Sequence, residues 1–443
     1  MKNNALESAA SRHADPTAGS LAIKILVISQ HFWPESFRIN ELVKSLSQSG
    51  CQVTVLTGQP NYPQGVVFKG YNAAKTTRQE HEHGYKIYRV PLVPRGRATA
   101  FRLIANYTSF VLSAGLFGPW LLRRAQFDVI FVYGTSPILQ VIPAIVFRWL
   151  KKAPLVTWVQ DLWPQSLEAT GFVRNRRVLK VVELLVRWIY RRNDLLLGQS
   201  RGFVTSIQEF SGKTPVEYFP NPADAGSSSS LAEDEPALRL EPGFNVVFAG
   251  NLGTVQALGT VLEAAELLRS ETEIRFVLIG SGSRGDWLKS EIARRGLMNV
   301  RVPGRFPAEK LPGIMVQASA LLVCLVRNPI MRLTIPAKVQ AYLAAGRPII
   351  AALDGEGAQL VLDAKAGLSV PAEDATALAG AVLRLRSFED CERALMGEAG
   401  RRFYEEHFAP DVLVRQLIMR FRNLMAQMRE APSRPETGRG GIA

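Results

Sequence analysis

Short runs rich in Val, Ile and Leu recur along this chain with helix-length stretches between them, and this alternation restricts the fold more than any other feature. The first run, residues 23–29 (IKILVIS), leads through the loop HFWPES into a helical pattern over 37–48 that closes at Gly50, and a second run follows at 52–57 (QVTVLT). Runs that are apolar on both faces with a helix between them make a βαβ unit with parallel strands. Further strands are expected at 86–90, 128–132, 155–159, 195–197 and 216–219. After Pro220-Asn221-Pro222 comes a small, acidic tract without periodicity, which reads as a linker. The alternation then restarts, with strands expected at 245–249, 274–279, 300–302, 320–324, 348–351 and 368–370 and helices at 255–269, 286–295 and 336–345.

The fold class is therefore α/β, two doubly wound parallel sheets in series, and 443 residues is too long for one growing core. The expected division is a disordered tail over 1–22, a first domain over 23–222, a linker over 223–242 and a second domain over 243–408. A last amphipathic helix over 409–429 packs back toward the first domain, and 430–443 form a second disordered tail. In open parallel sheets ligands bind outside the carboxyl ends of the strands, so the cleft between the domains is the expected site.

Three scattered cysteines, Cys51, Cys324 and Cys391, support neither a disulfide framework nor a zinc site, and the five histidines show no pair at ligand spacing. No metal is expected. The first 20 residues lack the apolar segment of a signal peptide, which points to the cytoplasm. A formal charge of +14 calls for an anionic partner, whether nucleic acid, an acidic membrane surface or a phosphorylated substrate. The weakly charged stretch 101–122 holds Asn106, Thr108, Ser109 and Pro119 and is followed by Arg123-Arg124, which favours a buried or membrane-skimming helix over a spanning one.

The candidate catalytic carboxylate is Asp161, at the carboxyl tip of the 155–159 strand in Gln160-Asp161-Leu162-Trp163-Pro164. Side chains there reach a substrate, but an Asp before such a turn also serves as a cap, and position alone leaves both roles open. Gly250, Asn251 and Gly253 form a strand-to-helix turn, and Gly280 and Gly282 form a second. Such glycines let backbone N–H groups approach a phosphate, or simply make a tight turn. Lys338 falls in the first turn of a helix that starts near Pro336, with Arg327 and Arg332 before it, and residues 311–353 contain no acid. Cations that lack partners at a helix start favour a bound anion. His31, Glu35 and Arg38 flank the first strand's tip and Ser136 follows another, so these four are candidates for the acceptor side.

These blocks together resemble the family-4 retaining glycosyltransferases of the GT-B fold, two Rossmann-like domains facing an interdomain cleft. The resemblance is nearest to the O-antigen and colanic-acid type similar to L-fucosamine transferases. It rests on ILVISQHFWPES, on residues 50–71 with Pro60-Asn61-Tyr62-Pro63, on WVQDLWPQSL, PNPAD, FAGNLG and IGSGS, and on PAKVQAYLAAGRPII, in the family's order. It implies transfer of a hexosyl or N-acetylaminohexosyl unit from a UDP-sugar to a lipid-linked saccharide, without metal or cofactor, at the inner membrane face. The basic surplus together with the apolar segment 101–122 predicts a protein held peripherally on the cytoplasmic face of that membrane. The resemblance also implies that Asp161 takes the acceptor-side catalytic place, that the FAGNLG turn contacts the diphosphate and that the 336–350 segment contacts the donor. The family's paired glutamates should fall at Leu333 and Ala341, and both are absent. A sugar-nucleotide epimerase of the same fold would need acid–base groups in the second domain. A nucleic-acid binder would need clustered basic stripes with aromatic platforms.

Overall fold

The computed structural model describes residues 22–97, 99–169, 175–222 and 236–430. The expected tails and most of the expected linker lie outside the described residues. The first domain runs β1 (Lys24–Ile28), α1 (Arg38–Gln48), β2 (Gln52–Gly58), β3 (Thr77–Glu80), β4 (Lys86–Val90), α2 (Ala100–Leu121), β5 (Val129–Gly134), α3 (Val141–Lys151) and β6 (Leu155–Val159). It continues through α4 (Gln165–Ala169), α5 (Arg176–Tyr190), β7 (Leu195–Gly198), α6 (Arg201–Ser211) and β8 (Val216–Tyr218). The strands lie in the order β3-β4-β2-β1-β5-β6-β7-β8, parallel except for β3, which pairs antiparallel with β4.

The direction of travel across this sheet decides which face each helix covers. From β1 to β2 the chain moves one way; from β4 through β5, β6 and β7 it moves the other. Crossovers between parallel strands are right-handed, so α1 lies on one face and α2, α3, α5 and α6 lie on the opposite face. The α2–α6 face is sealed by Phe110, Ala114, Phe147, Val186 and Ile189 packed on Leu26, Ile28, Leu56, Ile130 and Val132.

The second domain comprises β9 (Phe244–Ala249), α7 (Leu258–Leu267), β10 (Ile274–Ile279), α8 (Gly285–Arg295), β11 (Val300–Gly304), α9 (Leu311–Met315) and β12 (Ala320–Cys324). Then come α10 (Pro329–Leu333), α11 (Ala337–Ala345), β13 (Ile349–Ala352), α12 (Glu356–Asp363), β14 (Gly367–Val370), α13 (Ala375–Ser387), α14 (Asp390–His407) and α15 (Pro410–Glu430). Its sheet is fully parallel in the order β11-β10-β9-β12-β13-β14. The helix expected over 255–269 is broken near its start, because Ala257 adopts φ +45° between a single turn at Thr254–Gln256 and α7. α15 leaves this domain and inserts Leu413, Val414, Leu417, Phe421 and Leu424 into the core between α1 and the first sheet.

In both sheets the strand order reverses beside the first strand, between β1 and β5 and between β9 and β12. Each reversal splays the neighbouring loops apart and leaves a crevice at the carboxyl ends. The seam between the domains passes these ends. The Ser200 hydroxyl donates to the Leu333 carbonyl, and the Gly202 N–H donates to the Glu356 carboxylate at 2.8 Å. Leu333 packs into the first domain's core, so the place where a family glutamate was expected holds an interdomain apolar contact.

Candidate active site

Gln30 leaves the tip of β1 with its N–H donated to the Gln140 side chain and its own amide donated to buried Asn106 of α2, which ties the first crevice to its flanking helices. Glu35, buried in the following loop, accepts from the backbone N–H groups of Asn61 and Tyr62 at 2.7 and 2.6 Å and of Phe32 at 3.3 Å. Its fourth contact is His31 Nδ1 at 3.0 Å. A carboxylate so fully engaged holds the two loops together and has little capacity left for a substrate. His31 stacks on Phe37 at 5.2 Å and tilts against Tyr62, and its Nε2 is buried with no hydrogen-bond partner among the described residues. Arg38 is the half-buried first residue of α1.

Asp161 emerges half-buried beyond β6, and its Oδ2 accepts the Ser136 N–H at 2.8 Å from beyond neighbouring β5. The Ser136 hydroxyl accepts from Trp163 Nε1 at 2.8 Å. Asp161 thus does make a turn-fixing bond, as the capping reading requires, but with one oxygen only. Tyr107 of α2 lies within the electrostatic reach of Asp161, Arg95 and Tyr62, and its phenol is pushed up first by burial. Arg95 sits over the Tyr62 ring at 5.0 Å. Four cis X-Pro bonds, at Pro34, Pro63, Pro137 and Pro164, shape the loops beyond β1, β2, β5 and β6. Tyr62, Arg95 and Tyr107 were not singled out as site residues from the sequence. The Pro60-Asn61-Tyr62-Pro63 motif was the available signal for Tyr62, whereas Arg95 and Tyr107 join the crevice only through folding.

In the second domain Gly250 and Gly280 have φ of +142° and +147°. A Cβ on Gly280 would lie 1.8 Å from the Gly250 carbonyl, and one on Gly250 would lie 2.6 Å from Lys338 Cε. Gly253 and Gly282 crowd the Asn251 side chain in the same way. The glycines therefore let the two strand-end loops and Lys338 close on one another, bound by Gly250 N–H to Ile279 and Leu252 N–H to Ser281. A cavity of about 330 Å³ opens beside them, lined by Gly250, Asn251, Gly280, Ser281, Arg305 and Phe306. Arg305 and Phe306 were missed from the sequence because the turn after β11 carries no glycine pattern of its own.

Lys338 lies in the first turn of α11, with Pro336 as N-cap. Its ammonium sits 3.6 Å from the centroid of Phe248 and donates to the Gln256 side chain. Burial lowers its pKa to about 8. Of the cations before it, expected to lack partners, Arg327 is already engaged. Its backbone N–H donates to Glu373 at 3.0 Å, its guanidinium donates to the Ala372 carbonyl, and Asp354 lies 3.8 Å away. The acid-free stretch ends one residue before Asp354, and β13 and β14 bring acids back in space. Arg332 faces another cavity, of about 920 Å³, on the hinge side between α12, α14, α15 and β8, together with Arg201, Glu356 and Arg420. Of the three cations, Lys338 alone adjoins the glycine loops.

The absence of a histidine pair at ligand spacing is also corrected. His81 and His83 meet across the turn between β3 and β4, with ring centroids 5.2 Å apart, and with Glu82 they form a group able to hold a metal ion, His81 also packing on Trp33 of the loop beyond β1.

Residues 36–222 match the family described as Glycosyl transferase 4-like domain, and residues 243–387 match that described as Glycosyl transferases group 1. The protein WcaI of Escherichia coli (strain K12), named as a colanic acid biosynthesis glycosyl transferase, is 28% identical over 340 residues, 73% of this chain and 82% of that one. WbjE of Pseudomonas aeruginosa, named as a glycosyltransferase, is 24% identical over 298 residues, 64% of this chain and 72% of its own. Among solved structures, HepE of Anabaena in complex with UDP and glucose is similar at a TM-score of 0.65 and 14% identity, over 90% of this chain and 100% of that one. The trehalose 6-phosphate synthase of Burkholderia multivorans reaches 0.68 at 13% identity, over 92% of this chain and 99% of that one. At such identities these structures bear on the fold alone. Two facing α/β domains matched by these two families make the chain a glycosyltransferase of the 4-like, group 1 family with the GT-B fold.

Proposed function

We propose that the protein transfers a hexosyl or N-acetylaminohexosyl unit from a UDP-sugar to a lipid-linked saccharide, with retention, in the synthesis of a surface polysaccharide such as an O-antigen. The observation that supports this most is a cavity lined by Gly250 and Gly280, with Lys338 packed beside Gly250, together with a carboxylate at Asp161, each domain's group lying beyond the carboxyl ends of its own sheet. HepE, of the same fold, is described in complex with UDP, and WcaI is named for colanic acid synthesis.

In this reading the bond from the sugar's C1 to the diphosphate oxygen breaks as the acceptor oxygen bonds to C1. The negative charge that develops on the departing diphosphate is stabilised by Lys338 and by N–H groups of the glycine loops and α11. Asp161 orients the acceptor hydroxyl and takes its proton. Phe306 offers a flat apolar surface to the base. No metal or cofactor enters the step, so activity should survive a chelator. The working place is the cytoplasmic face of the inner membrane, where lipid-linked acceptors are met.

The test is thermal stabilisation by a panel of nucleotide sugars, followed by product analysis. A ligand at 100 times its Kd stabilises by about 2.7 kcal/mol. Failure of every UDP-sugar to stabilise the protein removes the donor assignment. An inverted anomeric centre in the product removes retention.

A further inference from the structure

α2 is apolar on both sides, which a surface helix of a water-soluble domain is not. Its inward stripe, Asn106, Phe110, Ala114 and Gly118, is buried on the first sheet. Its outward stripe carries Phe101, Ile104, Leu112, Leu116 and Trp120, with Leu116 71% and Trp120 60% exposed. The neighbouring helices continue this surface. α3 exposes Val146, Leu150 and Trp149, the last to 78%, and α5 exposes Val181, Leu184 and Trp188. All three helices sit side by side on one face of the sheet, for the topological reason given above.

The charges around this surface are arranged by position. Each helix ends in a basic pair, Arg123-Arg124 after α2, Lys151-Lys152 at α3 and Arg191-Arg192 after α5. At the opposite ends stand Arg102 on α2 and Arg176, Arg177 and Lys180 on α5. Lys151 is occupied, donating to the carbonyls of Leu122, Arg123 and Ala125. Arg123 and Arg192 lie over Trp120 and Trp188. The three helices contain a single acid, Glu183, and it is paired with Arg187.

We infer that the joint outer face of α2, α3 and α5 is a docking surface for an anionic lipid bilayer, entered by Trp120, Trp149 and Trp188 with the helices lying in the membrane plane. An apolar strip fringed by cations at both ends matches the acyl boundary and the phosphate level, and tryptophan prefers the boundary between them. α2 has the length and composition of a membrane span. It cannot act as one in this fold, because Asn106 on its inner side bonds to Gln30 and to the Val93 carbonyl and the rest of that stripe packs on the sheet. The amino ends of the three helices are at the carboxyl ends of the strands, so the docked face leads to the crevice of Asp161. This inference rests on the proposed lipid-linked acceptor only for its purpose; the surface itself stands on exposure and charge.

The test is flotation of the purified full-length protein with vesicles of phosphatidylcholine containing one quarter phosphatidylglycerol, at 0.1 and 1 M NaCl. Binding should weaken in high salt yet persist, and W149S/W188S should bind at least tenfold more weakly with unchanged UDP binding and Tm. The control M298S/L395S removes apolar side chains exposed on the second domain and should bind as the parent does. Complete release of the parent by 1 M NaCl overturns insertion of the apolar face. Parent-like binding by W149S/W188S overturns the placement, as does a dimer of the parent that this variant dissolves and that shows no vesicle binding. UDP-sugar turnover on a water-soluble acceptor is read separately: its loss in a vesicle-binding protein refutes the transferase reading, and its presence without vesicle binding refutes the docking surface.

Discussion

The Lys338 ammonium lies 3.6 Å from the centroid of the Phe248 ring, under the turn at Gly250, and burial holds its pKa at about 8 against an ordinary 10.5. A cation kept in such a place at a cost in desolvation is suited to an anion that arrives later. Lys338→Ala should weaken UDP binding by about 1.5–3 kcal/mol, the size of a charge-assisted hydrogen bond. Arg327→Ala, whose guanidinium already has protein partners, should bind UDP as the parent does. Calorimetry decides between them. If Lys338→Ala is silent while Arg327→Ala or Arg332→Ala is not, the anion site lies on the loop before α11.

The same lysine sets a pH dependence. Between about pH 8 and 10.5 the unfolded chain binds the proton that the folded protein has released, so stability rises with pH across that window, and the burial cost is present in full below pH 8. Urea unfolding at pH 7.5 and 9.5 should show the parent gaining on Lys338→Met. UDP affinity should move the other way and fall above pH 8, as the ammonium is lost. An affinity that is flat from pH 7 to 9.5 would separate the lysine from the anion.

Asp161→Asn keeps an oxygen to accept the Ser136 N–H, so the turn should survive. Turnover should nevertheless drop about 10²-fold or more, with UDP affinity nearly unchanged, because the proton acceptor is gone. Were Asp161 only a cap, Asp161→Ala would lose about 1 kcal/mol of stability and keep its activity. Steady-state kinetics beside thermal unfolding reads both.

Glu35→Ala strands three backbone N–H groups and His31 inside the first crevice. At about 1–3 kcal/mol for each buried donor left unpaired, a loss of at least about 3 kcal/mol is expected by urea unfolding. A loss under about 1 kcal/mol would mean that the loops do not depend on this carboxylate.

Gly280→Ala places a methyl group against the Gly250 carbonyl at a φ that L-residues rarely adopt. The two loops must part, and UDP binding should fall at least tenfold while the first domain's loops stay intact. Unchanged calorimetric binding would show that the glycine loops do not form the donor seat.

The sequence by itself determined the two doubly wound sheets, because strands buried on both faces must be predominantly apolar and the helices between them must repeat; β1, β2, β9 and β10 are all written this way. It also placed Asp161, Gly250 and Gly280, since residues at the carboxyl tip of a strand can be located by counting, and Lys338, since Pro336 marks the start of its helix. Tertiary structure alone decided which of them keep free valences. Glu35 proved to be occupied by backbone N–H groups from residues 61 and 62, and Arg327 by acids beyond the stretch that looked acid-free. Leu333 became a contact between domains, and the outward stripes of α2, α3 and α5 became one surface. Each of these outcomes depends on the pairing of groups far apart in the chain, and local pattern carries no record of which distant partner will satisfy a charge or cover a face.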